Sequence, residues 1–214
     1  DSSQKEILDL LSKIHKKISG IKIGLQYITQ SSPEDIKELS KFNKPIFYDG
    51  KFFDIKNTLV ASIKSLEKLK ISYATVHLLN GLDSLKAANE AANKIDIKLL
   101  GVSVLTSFND EELQHLGFKD QVEEQVIRLI KIASEANLYG VICSPHEVKM
   151  IKKITPRLKC FTPGIRQDEK KDDQKRTMNA KQALNEGSDC LIIGRPITEG
   201  NPEENIQKIL STIK

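Results

Sequence analysis

The chain has 214 residues, enough for one sizeable core, with 39% hydrophobic and 29% charged residues. Its 33 basic residues are nearly matched by 29 acidic ones, and the net charge of +4 is spread along helical stretches. That reads as a solvated surface, not as the dense basic stripe with interleaved aromatics that nucleic-acid binding needs. No apolar run approaches membrane-spanning length and no signal peptide is visible. Cys143, Cys160 and Cys190 lack metal-ligand spacing and sit in or beside apolar runs, as small buried thiols of a reduced cytoplasm would.

Residues 3–18 carry a helical period through Ile7, Leu10, Leu11 and Ile14, and Gly20 ends it. Residues 21–25 alternate as a strand. Ser32-Pro33 caps and opens the next helix. A strand over 45–49 leads into a helix over 54–69 with Leu59, Ile63, Leu66 and Leu69 on one face. Strand 73–77, helix 82–94 and strand 98–104 follow, then a short helix from Asn109 and a long one over 120–137. Strand 138–143, a helix from Pro145, strand 159–162, a polar segment over 167–176, helix 179–187, strand 189–194 and helix 202–213 complete the chain.

Seven strands alternating with helices predict a parallel sheet in an α/β fold. The alternation begins with a helix almost at Asp1, so an eighth strand is expected upstream. A single-domain (β/α)8 TIM barrel over 1–214 is the expected fold, with a doubly wound open sheet as the alternative.

Active groups of a barrel sit at the carboxyl ends of its strands. The ends here offer Lys22; Asp49 and Lys51; His77; Thr106; Ser144; Pro163 to Arg166; and Gly194-Arg195. Asp49 and Lys51 are two apart and face one side of a continuing strand. Lys22, on the neighbouring strand, can approach Asp49, and Asp54 falls where the next helix should begin. Alternating charges Lys22, Asp49, Lys51 and Asp54 suit charge chemistry, although a purely structural ion-pair network would look the same. Pro163-Gly164-Ile165-Arg166 and Gly194-Arg195 follow the last two strands, the common phosphate loops of this architecture. A glycine permits close approach of an anion and an arginine offers a planar fork. Neither a dinucleotide fingerprint nor a P-loop spacing occurs. His77 reads as a packed, hydrogen-bonded histidine more readily than as a catalyst, and His15, His115 and His146 as peripheral.

Asp49-Gly50-Lys51-Phe52-Phe53-Asp54 resembles the Asp-x-Lys-x-x-Asp signature of the orotidine 5′-phosphate decarboxylase family. The resemblance extends over the chain. It takes in Lys22-Ile23-Gly24, Val104-Leu105-Thr106-Ser107, Gly140-Val141-Ile142-Cys143-Ser144, Thr162-Pro163-Gly164-Ile165-Arg166, Asp173-Gln174-Lys175-Arg176 and Ile193-Gly194-Arg195-Pro196-Ile197-Thr198. Asp1 resembles the aspartate that ends the family's first strand. Two positions depart from the pattern. Gly50 stands where the family has a bulky apolar residue, which predicts a looser strand. Lys56 stands for a proline, which removes a fixed φ at the helix start.

The resemblance implies removal of carbon dioxide from orotidine 5′-monophosphate without cofactor or metal. Lys51 would protonate carbon 6, Asp49 would lie against the departing carboxylate, and Asp54 would come from the second subunit of a homodimer. Asp1 and Lys22 would contact ribose and Thr106 the pyrimidine edge. Arg166, Gln174, Gly194 and Arg195 would hold the phosphate under a lid of residues 167–176. Thr58 and Pro163 are also expected to line the substrate. A cytoplasmic enzyme with no nucleic-acid or membrane partner is implied. The rivals are a magnesium-dependent sugar-phosphate decarboxylase or synthase of the same superfamily, and a non-catalytic nucleotide binder.

Overall fold

Seven short runs rich in β-branched and aromatic residues pair as parallel strands in the computed structural model, which describes residues 3–166 and 176–213. They are β1 (Ile21–Gly24), β2 (Ile46–Phe52), β3 (Tyr73–His77), β4 (Lys98–Val102), β5 (Gly140–Ile142), β6 (Lys159–Thr162) and β7 (Cys190–Leu191). Each neighbours the next in chain order, from β1 to β7. A doubly wound sheet requires the order to reverse at a switch point. The unbroken order excludes it and leaves the staves of a (β/α)8 barrel, curled with helices outside.

Period-two alternation sorts the strands into two layers. Ile46, Ala74, Val76, Leu99 and Val141 face outward and join one core with Leu59 and Ile63 of the helix Lys56–Ser65, Leu85 of Leu82–Asn93, and Val126 and Leu129 of Val122–Glu135. Phe47, Tyr73, Leu100, Tyr139 and Phe161 form a second cluster inside the curl. Their rings meet edge-on or tilted, with centroids 5.5 Å apart for Tyr73–Phe161 and 6.1 Å for Phe47–Phe161. Such pairs contribute about 0.5–1.5 kcal/mol each beyond area burial. This aromatic floor fills the interior, and the next inward position on each strand stands above it.

Helix starts are set locally. Ser3 with Glu6, Ser32 with Asp35, and Asn109 with Glu112 form capping boxes that satisfy otherwise orphaned N–H groups. Pro33 occupies the first turn of its helix. The terminal helices Gln4–Ile14 and Pro202–Ile213 pack together through Ile14, Ile206 and Ile209. Among the described residues, no helix is long and apolar enough to cross a membrane.

Several boundaries differ from the sequence expectation, three of them at strand ends that shape the rim. Leu25 leaves β1 directly into a helix, Leu25–Gln30, not expected from the sequence. The last strand is shorter than 189–194, since ladder pairing with β6 covers Cys190–Leu191. Most consequentially, β2 does not stop at Asp49. It runs on to Phe52, and the helix begins at Lys56.

Candidate active site

Parallel pairing puts every strand's carboxyl end on one rim. Phe47 lies opposite Tyr73 in the register. One inward step above this floor, β2 carries Asp49 and β3 carries Thr75. Lys22 reaches in from β1, where Gly24 pairs with Asp49.

The charged groups meet here. Lys22 Nζ lies 2.8 Å from Asp49 Oδ2, and Lys51 Nζ lies 3.0 Å from Asp49 Oδ1. The Asp49 side chain is only 11% exposed, whereas the two lysines are about one-third exposed. Burial works to raise the Asp49 carboxyl. The charges of Lys22 and then Lys51, with their hydrogen bonds, outweigh it and hold the group below its ordinary value. One carboxylate against two ammonium groups leaves a net positive charge, fixed in place before any anion arrives.

Lys51 is brought to this position by a bulge. Five residues of β2, from Tyr48 to Phe52, span the length of three of β3, from Ala74 to Val76. Lys51 itself has φ +47°, the left-handed region that costs a non-glycine residue about 1–2 kcal/mol. Its N–H donates to Thr75 Oγ1 at 2.8 Å, and that hydroxyl donates to Asp49 Oδ1 at 3.1 Å. Asp49 and Lys51 therefore converge, but by a kink and not by simple alternation. Thr75 escaped the sequence reading because a threonine in a strand is ordinary, and the bulge that gives it two tasks has no local signature.

Gly50 has a physical reason. A Cβ on it would come within 2.7 Å of Tyr48 Cε1 and 3.1 Å of Tyr48 Cδ1. The Tyr48 and Phe52 rings lie parallel, 2° apart in tilt with centroids at 5.6 Å, across the position a side chain would take. Ring stacking replaces the bulky residue expected there, and β2 is the longest strand of the sheet despite the glycine.

Asp54 stands apart from the charged array in this chain. It is exposed, and its Oδ1 accepts the N–H of Ile55 at 2.7 Å. Its own N–H donates to Asn80 Oδ1, while Asn80 Nδ2 donates to the carbonyls of Phe52 and His77. Asn80, also missed in the sequence, thus pins the turn after β2 to the turn after β3. Thr58 is exposed on the first turn of the following helix. Phe53, Ile55 and Leu79 surround this corner as exposed apolar side chains, 62%, 75% and 42% accessible. Lys56 opens the helix and pairs with Asp83 at 2.8 Å.

His77 closes β3. Burial, then the charge of Lys51, hold its imidazole below the ordinary value. Its Nδ1 accepts the N–H of Leu79 at 3.3 Å, capping the turn Leu78–Asn80. That is the packed histidine the sequence suggested.

Across the rim, Thr106 is half-buried in the loop beyond β4. Pro163 and Gly164 follow β6, and Ile165 bridges to Met178. Arg166 N–H donates to Met178 O at 3.0 Å, and its guanidinium turns back to Ile165 O at 2.9 Å. Among the described residues, a Cβ on Gly194 would meet nothing within 4 Å beyond its chain neighbours. Arg195, exposed, starts the short helix Arg195–Thr198. Asp1 and Gln174 lie outside the described residues.

Arg176 was quoted in the sequence only as part of a motif. It pairs with buried Glu147 and donates to Leu105 O at 3.3 Å, joining the loops after β4 and β5. Burial raises the Glu147 carboxyl even so, against the opposing charge of Arg176. Glu147 also accepts the N–H of Ser144 at 2.9 Å.

The cysteines are thiols, two buried and Cys190 half-buried. Among the described residues, no group of three or more His, Cys, Asp or Glu side chains is placed to hold a metal. A cavity of about 380 Å³ opens at the opposite end of the strands, lined by Lys98, Tyr139 and Arg157 among others. It shares no residue with the charged array, and barrel chemistry belongs to the other rim.

The model of the family described as "Orotidine 5'-phosphate decarboxylase / HUMPS family" matches residues 1–209. A curated protein of Wolbachia pipientis named orotidine 5′-phosphate decarboxylase is 37% identical over 210 residues, covering 97% of this chain and 93% of the relative. One of the same name from Dichelobacter nodosus is 41% identical over 219 aligned positions, covering 100% and 96%. The crystal structure of orotidine 5′-phosphate decarboxylase from Lactobacillus acidophilus superposes with a TM-score of 0.85 at 32% identity, covering 98% of this chain and 92% of that one. With its barrel, its charged rim and these matches along its length, the chain belongs to the orotidine 5′-phosphate decarboxylase / HUMPS family.

Proposed function

We propose that this protein converts orotidine 5′-monophosphate to uridine 5′-monophosphate and carbon dioxide, the last step of de novo pyrimidine synthesis, without cofactor or metal. The observation that carries this reading is the Lys22–Asp49–Lys51 array, one buried carboxylate between two ammonium groups at the barrel rim. The names of the relatives support the substrate.

In the reaction, the bond between pyrimidine carbon 6 and its carboxylate breaks and carbon dioxide leaves. The electron pair stays on carbon 6, where Lys51 Nζ delivers a proton. Lys51 then regains its proton from solvent. Magnitudes decide which effect leads. Two like charges about 4 Å apart repel by roughly 4 kcal/mol at an effective dielectric near 20. Large enzymatic accelerations need on the order of 20 kcal/mol. Asp49 is moreover partly neutralised by its two lysines, so its repulsion of the substrate carboxylate is smaller still. Stabilisation of the developing carbanion by preorganised Lys51 carries more of the barrier.

Lys22 and Asp1 serve the ribose, Thr106 the pyrimidine edge, and Arg166, Gln174, Gly194 and Arg195 the phosphate, with Pro163 and Thr58 also lining the substrate. The lid expected over 167–176 lies, but for Arg176, outside the described residues. Phosphate binding, remote from carbon 6, supplies energy for closure and desolvation. The protein works as a cytoplasmic homodimer in which Asp54 serves the neighbouring copy's site. Exposed Phe53, Ile55 and Leu79 around Asp54 support that arrangement, since apolar patches of this kind mark interfaces. The chain acts as one folded unit over 1–214.

The deciding experiment follows the ultraviolet absorbance of orotidine 5′-monophosphate mixed with the protein, with and without a chelator. Loss of the orotate absorbance in both samples is the expected result. Activity abolished by the chelator would favour a magnesium-dependent sugar-phosphate chemistry, and binding of uridine 5′-monophosphate without turnover would favour a nucleotide-binding role.

A further inference from the structure

We propose that Thr75 is a positioning residue for this reaction, its hydroxyl locking Lys51 and Asp49 into one unit. Three contacts and the Lys51 side chain close a ring. Lys51 N–H donates to Thr75 Oγ1, Thr75 Oγ1 donates to Asp49 Oδ1, Asp49 Oδ1 accepts Lys51 Nζ, and the Lys51 side chain returns to its own N–H. Lys51 is thus held at both ends, by its backbone through Thr75 and by its ammonium through Asp49.

The backbone end needs holding. Lys51 is a non-glycine residue at φ +47°, inside the bulge where β2 slips its register on β3. A conformation of that kind persists only where its surroundings over-determine it. Thr75 comes from the other strand of that pair and is fully buried. Valine would fill the same space, so packing alone does not call for a hydroxyl. Lys22 fixes Oδ2 of Asp49 from the opposite side, and Thr75 fixes Oδ1. Without the hydroxyl, Lys51 N–H loses its acceptor in a buried setting and Asp49 loses a bond to its ionised form.

The kinetic test rests on the decarboxylase reading above. Thr75→Val is expected to lower kcat about 10- to 100-fold, with KM for orotidine 5′-monophosphate within about threefold of wild type. The acid limb of kcat/KM moves to higher pH as Asp49 becomes easier to protonate. Thr75→Ser restores the hydroxyl and keeps kcat within about threefold of wild type. Unchanged kcat and acid limb in Thr75→Val, or equal losses in the valine and serine variants, would overturn the proposal. If wild type shows no turnover, the decarboxylase reading fails by itself. Thr75 is then judged by carboxyl ¹³C NMR, with Asp49→Asn for assignment. A higher Asp49 titration midpoint in Thr75→Val supports the lock and an unmoved midpoint sinks it. Should the valine variant not fold, Thr75→Ala takes its place in every measurement.

Discussion

The two sides of the rim are built in different ways. Around β1, β2 and β3, side chains fix side chains: Lys22, Lys51 and Thr75 all terminate on the Asp49 carboxylate. Around β6 and β7, backbone does the placing. Ile165 bridges to Met178, Arg166 N–H is held by Met178 O, and no described residue crowds the main chain of Gly194. The first side is rigid before substrate arrives, as charge stabilisation at a reacting atom requires. On the function proposed above, the second would offer a loop scaffold to an anion far from that atom, where binding energy can be converted into closure. That proposal separates chemistry and grip across one barrel, and substitutions on the two sides should then have different kinetic signatures.

The strongest contrast comes from Lys51→Ala. Loss of the proton donor and of carbanion stabilisation together should lower kcat by more than about 10⁴-fold. A substrate-like nucleotide should still bind, as titration calorimetry with uridine 5′-monophosphate would register. Substantial remaining turnover would remove Lys51 from the proton-donor role. Arg166→Ala, on the gripping side, should cost about 10- to 100-fold in kcat/KM, the worth of a charged hydrogen bond or two. Its loss should fall mainly on KM, and steady-state kinetics on the two variants would separate the sides. A fall in kcat alone for Arg166→Ala would erase the distinction.

Stability against pH probes the rigid side without substrate. The Asp49 carboxyl is held below its ordinary value in the folded state, so the unfolded chain binds its proton more readily. The stabilisation is therefore fully present above the ordinary aspartate range, near about pH 3.9, and is lost as pH falls through the lower folded value. Asp49→Asn should destabilise by about 1–2 kcal/mol near neutrality, discounted because both lysines are partly solvated. In urea titrations the gap to wild type should narrow as pH drops through and below the carboxylate range. A gap constant from pH 6 to 3 would show that the ion pairs add nothing to the fold.

Much of this molecule could be read in its residues, for reasons that differ by region. Strand and helix identities followed from periodicity, because each layer of a barrel buries one face of each element. Lys22, Asp49 and Lys51 were brought together because parallel neighbours align their carboxyl ends. The bulge was not legible. Its cause is spread over the Tyr48–Phe52 stack, the Thr75 hydroxyl and the Asn80 amide, which lie up to 32 positions apart in the chain. Gly50 invited the inference of a loose strand because only its missing side chain shows in the sequence. The rings that fill its place sit two residues to either side.

The finest test of the rigid side is its outer support, at the other departure from the family pattern. Lys56 occupies the first helical position, where the N–H has no intrahelical partner and a proline is tolerated. Ile55 before it has φ −59° and ψ 151°, the extended geometry that a following proline demands. Lys56→Pro should therefore fit without strain and stabilise by about 0.4–1 kcal/mol through the unfolded chain. Against this stands the exposed ion pair with Asp83, whose loss costs about 0–1 kcal/mol. The two terms nearly cancel, so thermal denaturation should shift by no more than about 4 °C in either direction. Lys56→Ala in parallel removes the pair without adding the ring, and the difference between the two variants isolates the backbone effect. If proline proves clearly worse than alanine, the turn between Phe52 and Lys56 must be using a conformation that proline forbids, and the fixed geometry ascribed to that turn would be wrong.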